Sequence, residues 1–124
     1  MQLSLTLPLP PSLNSTYRAI GAKRGRPSRN ILSAEARQWV AKALPLIYYQ
    51  MFDWEMLHGE VVVEYGYVFP DKRRRDVFNY EKLLSDSLTK AGVWADDCQI
   101  VEGKVKRLGI DRGRPRVEVL VSGV

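Results

Sequence analysis

The chain has 124 residues, 45% apolar and 27% charged, which suits one globular domain spanning residues 1–124 with a modest core. Its net charge of +5 favours a polyanionic partner, because a basic face releases the counterions condensed on nucleic acid. One cysteine (Cys98) and one histidine (His58) exclude a disulfide within the chain, a cysteine-built zinc site and a histidine-rich metal site. Any metal must therefore meet Asp, Glu and carbonyl oxygens, the ligands of Mg²⁺ or Mn²⁺. No apolar run is long enough for a membrane span, the first residues lack the charged start of a signal peptide, and a lone cysteine agrees with a reducing cytoplasm.

Taken in chain order, Gln2–Leu7 alternates polar and apolar residues as a strand does, and Pro8, Pro10 and Pro11 stop it. Residues 12–32, rich in Gly, Pro, Ser and Asn and carrying Arg18, Lys23, Arg24, Arg26 and Arg29, are expected to form a mobile basic loop. Ser33 is a good N-cap for a helix from Ala34, with Trp39, Val40, Ala43, Leu44 and Ile47 as its apolar stripe. Pro45 predicts a kink or break. Residues 60–69 are rich in valine and aromatics and predict a strand. Residues 79–91 suit a second helix closed by Gly92, and 99–108 and 115–121 two more strands around a turn at 109–114. The expected fold is thus one α+β domain of order β-α-β-α-β-β, two helices packed on a mixed sheet.

Residues 69–100 concentrate the chemistry. Four adjacent cations, Lys72, Arg73, Arg74 and Arg75, precede Asp76 at a strand-to-helix junction. They form either a solvated face or a phosphate-binding one, and helix N-termini also attract anions. Asp76 lies before the helix, while Asp96 and Asp97 follow it. A nuclease uses such carboxylates to hold divalent ions that activate water and stabilise the leaving alkoxide. Asp76 and Asp97 can meet only if strand 99–108 pairs beside strand 60–69 and the returning loop folds back toward Asp76; otherwise Asp96-Asp97 is a polar turn. The aromatics Trp39, Tyr48, Tyr49, Phe52, Trp54 and Trp94 fill the core or, where exposed, mark an interface or a base-stacking surface.

The stretch RRRD-x-x-N-x-x-K-x-x-x-D-x-L-T-K-A-G-x-W-x-D-D-x-Q-I, from Arg73 to Ile100, resembles the RusA family of Holliday-junction resolvases. Leu9-Pro10-Pro11-Ser12-Leu13-Asn14 with Tyr17, and Ser33-x-Glu35-x-Arg37, resemble the family's start and its first-helix entry. The resemblance implies a homodimer, host- or phage-encoded, that binds branched DNA and resolves four-way junctions by paired, Mg²⁺-dependent nicks, with no small-molecule cofactor. It implies that Asp76 and Asp97 are catalytic and hold the metal with Asp96, and that Lys82 assists; Asn79 and Asp86 also match. The charge pattern makes Lys72–Arg75 with Lys23, Arg24 and Arg26 the expected DNA contacts. One position departs: the family pattern is D-x-D-N, and here it reads Asp76-Val77-Phe78-Asn79. Phenylalanine cannot coordinate a metal. Either Glu81 or Glu102 replaces the missing oxygen, or cleavage is weakened, or the protein binds branched DNA without cutting it.

Overall fold

The structure is a computed structural model that describes residues 1–20 and 29–124, with the backbone alone at 19–20 and 29–30. Its elements are β1 (Gln2–Pro8), α1 (Leu13–Thr16), β2 (Tyr17–Ile20), β3 (Arg29–Leu32), α2 (Ala34–Gln50), β4 (Val61–Phe69), α3 (Lys82–Ala91), β5 (Ile100–Ile110) and β6 (Arg116–Gly123). Short 3₁₀ turns occupy Val77–Tyr80 and Asp97–Gln99. The main sheet has the order β1-β6-β4-β5. β6 is antiparallel to both β1 and β4, whereas β4 and β5 are parallel. A parallel pair needs a crossover, and α3 is that crossover. No helix among the described residues is long and apolar enough to cross a membrane.

Period-two patterning decides which sheet face is covered. Leu3, Leu5 and Leu7 on β1, Val117, Val119 and Val121 on β6, and Val61, Val63, Tyr65, Tyr67 and Phe69 on β4 join one core with α2 and α3. Trp94 is wholly buried, and its indole N–H donates to Thr89 Oγ1 at 2.7 Å. α2 is fastened to β1 at two points. Trp39 Nε1 donates to Pro8 O (2.9 Å), and the Gln50 amide both accepts from Thr6 N (2.8 Å) and donates to Thr6 O (2.9 Å). The Gln50 side chain thus pairs with an outer backbone edge of β1 as a neighbouring strand would. Gly92 ends α3 at φ 87°, the left-handed region where glycine escapes the Cβ penalty.

The structure corrects the sequence expectations in three places. Residues 12–32 are not simply a loop: α1 and the antiparallel β2–β3 pair lie there, so three helices rather than two accompany the sheet. Ser33 locks this unit to α2, since its Oγ donates to Ser15 O (2.6 Å) and accepts from Ala36 N (3.1 Å). Pro45 does not break α2, which runs on to Gln50. Pro45 and Ala41 both lie on the exposed side, so the carbonyl that loses its helical donor faces water. Finally, a 3₁₀ turn precedes α3, and β5 continues two residues past its expected end.

Candidate active site

Beyond β4 the chain is shaped by its own charges. Asp71 Oδ1 accepts from Arg73 N (2.9 Å) and from Arg75 Nη1 (2.7 Å). The Arg75 hydrogen bond, helped by the Arg73 amide, holds the Asp71 carboxyl down to about 2. The Arg75 guanidinium lies over the Phe69 ring at 5.1 Å, and that of Arg107 lies over the same ring at 5.3 Å. Arg107 Nη2 also donates to Arg75 O (3.0 Å). Arg75 is therefore part of the scaffold, its side chain only 15% exposed, while Lys72, Arg73 and Arg74 face solvent. Lys23, Arg24 and Arg26 lie outside the described residues.

Asp76 caps the first 3₁₀ turn, its Oδ1 accepting from Phe78 N at 3.0 Å. Phe78 is 74% exposed and borders a cleft of about 230 Å³ that Val63, Tyr65, Glu81, Ser85 and Gly103 help to line. In that cleft Ser85 Oγ donates to Glu81 Oε2 (2.9 Å) and shares a 2.9 Å hydrogen bond with the Tyr65 hydroxyl. Burial pushes the Tyr65 hydroxyl far up, so it stays neutral. Glu81 is thus held on the helix-covered side of the sheet. Glu102 pairs with Val62, on the face opposite Val63. Of the two carboxylates that could replace an aspartate at position 78, only Glu81 adjoins Phe78.

One turn on, Lys82 Nζ meets Asp86 Oδ1 at 3.2 Å. Asp86 above all raises the Lys82 ammonium, and the Asp97 charge adds to the effect. At the other end of the crossover, Asp96 closes a capping box. Its Oδ1 accepts from Cys98 N (2.9 Å), and its own N–H donates to Gln99 Oε1 (2.7 Å). Gln99 Nε2 reaches Leu57 O (2.9 Å) and Gly59 O (2.8 Å), tying this turn to the chain before β4. The Cys98 amide above all holds the Asp96 carboxyl below its usual value. The same Asp96 carboxylate pushes the Cys98 thiol up, away from reactivity.

The parallel β4–β5 pairing supplies the strand neighbourhood that an approach of Asp97 to Asp76 requires. Two subsites follow: the adjacent Asp96 and Asp97, with the Lys82 ammonium in the field of Asp97, and Asp76 beside Phe78. Among the described residues no three acids stand close enough to hold a metal together. Mg²⁺ does not require three, since it binds through one or two carboxylates and substrate phosphates while keeping several waters. The Asp96–Asp97 pair fits that donor set. Sequence reasoning missed Arg107 and the anchoring of Gln99. Arg107 carried no local signal, but Asp96-x-x-Gln99 has the capping-box spacing, and Lys82 and Asp86 the i,i+4 spacing of a helical ion pair.

The family model described as "Endodeoxyribonuclease RusA" matches residues 8–122. The crossover junction endodeoxyribonuclease RusA of Shigella sonnei is 37% identical over 119 residues, covering 96% of this chain and 92% of its own. The protein of the same name from Escherichia coli strain K12 gives the same identity and coverage. That of Enterobacteria phage 82 is 36% identical over 118 residues, 95% of this chain and 92% of its own.

Proposed function

Because the chain belongs to the RusA endodeoxyribonuclease family, we propose that it cuts four-way DNA junctions by paired nicks, using Mg²⁺ or Mn²⁺. The observation that carries this reading is the Asp96–Asp97 pair at the entry to β5, with the Lys82 ammonium in its field. Asp97 and Asp96 offer oxygens that would hold the ion, and Asp76, the cap of the 3₁₀ turn before α3, would complete the set. An ion held there would supply Lewis acidity to the phosphate and would ease deprotonation of the attacking water near neutral pH. Lys82 contacts a non-bridging phosphate oxygen and balances the charge that builds as the leaving oxygen departs. Lys72, Arg73 and Arg74 hold flanking phosphates and set the register of the backbone. Lys23, Arg24 and Arg26 belong to the same DNA-contacting set.

Two opposed nicks need two equivalent sites, which a two-fold homodimer provides. The outer edge strand β5, with Val101, Leu108 and Ile110 exposed, is a surface that such a pairing would cover. Cytoplasmic DNA is the proposed setting, where the exposed thiol of Cys98 stays reduced.

A second reading is a branched-DNA binder that does not cut. The aromatic at position 78 and the lack of a three-acid set among the described residues favour it. Asp97→Asn and Asp76→Asn separate the two. In a nuclease each lowers single-turnover cleavage of a four-way junction by at least about 100-fold while junction affinity holds or rises. Wild-type protein that binds the junction firmly but leaves it intact with either ion would establish the second reading.

A further inference from the structure

A groove at the opposite edge of the sheet is absorbed by none of this chemistry. Its volume is about 660 Å³, and Leu9, Lys42, Leu46, Tyr49, Arg114 and Pro115 are among its walls. Tyr49 is 80% exposed although it stands on a long, well-anchored helix. Two cations line the groove with it. Lys42 and Arg114 make no ion pair among the described residues, whereas the nearby Arg116 is held by both Asp111 and Glu118. Both are presented by fixed backbone. Asp111 Oδ1 accepts from Arg114 N at 3.2 Å, and the Gln50 clasp on Thr6 pins the helix one residue beyond Tyr49. On the far side of Leu9 lies a second cleft, about 460 Å³, that Arg73 and Arg75 help to line. Leu9 is a wall of both, so the two clefts adjoin across the end of the sheet that carries the arginine run.

An exposed aromatic ring on an anchored helix, in one groove with two cations that make no ion pair among the described residues, is the combination that single-stranded nucleic acid uses: the base stacks, and its phosphates find charge. Paired bases cannot offer a free face to Tyr49. We propose that this groove binds an unpaired DNA strand leaving the branch point, so that the preferred substrate carries a single-stranded arm. The proposal rests on the nuclease reading for the branch itself, and on the groove alone for the strand.

The test compares a four-way junction with the same junction bearing an oligo-dT tail of about 10 nucleotides, within the ~4–16 that single-strand sites span. Binding is read by fluorescence anisotropy, and stacking by quenching of a 2-aminopurine placed in the tail. The tail should tighten wild-type binding about 10-fold. Tyr49→Ala should abolish that gain and the quenching, and Tyr49→Phe should retain both. Lys42→Ala and Arg114→Ala should each flatten the salt dependence of the tail's contribution while leaving untailed-junction cleavage unchanged. No gain from the tail, a gain that survives in Tyr49→Ala, or an equal gain from a double-stranded extension would overturn the proposal. Free oligo-dT reports on the groove by itself, so wild-type protein that ignores the junction but binds oligo-dT through Tyr49 refutes the nuclease reading and the branched substrate while upholding the groove as a single-strand site.

Discussion

Phe78→Asp restores a carboxylate where the family pattern has one, and its consequences can be worked from the structure. Phe78 is 74% exposed, so about a quarter of its side chain leaves water on folding. Taking ~200 Å² for a whole phenylalanine, the loss is about 50 Å² of apolar burial, or about 1.3 kcal/mol at ~25 cal/mol per Å². The variant should fold and melt only about 4–6 °C lower. If the introduced carboxylate joins those of Asp76 and Asp97, one added oxygen ligand worth about 1.4 kcal/mol tightens Mn²⁺ binding about tenfold. That is measurable by calorimetry or electron paramagnetic resonance without DNA, and single-turnover junction cleavage should rise with it. Phe78→Asn, which removes the ring but adds no charge, should show the melting change and little of the affinity gain. A folded Phe78→Asp protein with wild-type Mn²⁺ affinity and wild-type cleavage would show that position 78 does not adjoin the metal, and that the reasoning from the motif fails here.

Arg74→Ala should lower the slope of log affinity against log salt by about 0.9 on junction DNA. Arg75→Ala should instead leave that slope nearly intact and lower the melting temperature, because Arg75 is engaged with Asp71 and Phe69. Gly92→Ala forces an alanine to φ 87° with Met56 Cε only 3.2 Å from the new Cβ, and should cost about 1–2 kcal/mol in urea unfolding. Asp71 has a depressed carboxyl, so its stabilising contribution is present above its unfolded value near ~4. It disappears as pH falls through about 2. Melting temperatures of wild type and Asp71→Asn should therefore differ at pH 6 to 7 and converge as pH approaches 2; a gap that persists at the lowest pH would contradict this assignment.

Features written in local patterning were legible in the sequence. The alternation of Gln2–Leu7, the valine-rich run ending at Phe69, the Ser33 cap and the Gly92 stop all lie where backbone chemistry placed them. Pro45 misled because its cost depends on whether the freed carbonyl meets water or core, and only the packed helix decides that. The β2–β3 pair escaped because four-residue strands are too short to show a period. Within the site, Arg75 could not be told from Arg73 or Arg74 by sequence. Its role depends on Phe69 and Arg107, which come together only when β4 and β5 pair. That pairing also bears on Asp97, since a parallel crossover leaves no purely local rule for where the returning turn lies.

Two strands far apart in sequence are neighbours: Gln2 lies across from Ser122, and Pro8 across from Arg116. During synthesis the first strand emerges with its partner still more than a hundred residues away, at ~5–20 residues per second. The segment from β4 through α3 to β5, which carries every acid of the candidate site, can pair as soon as it appears, whereas β1 waits. Contacts so distant along the chain make closure slow. Until β6 arrives, β1 has α2 over its leucines but no strand beside it, and ribosome-bound chains that stop short of β6 are the forms in which that unpaired edge is most open to aggregation.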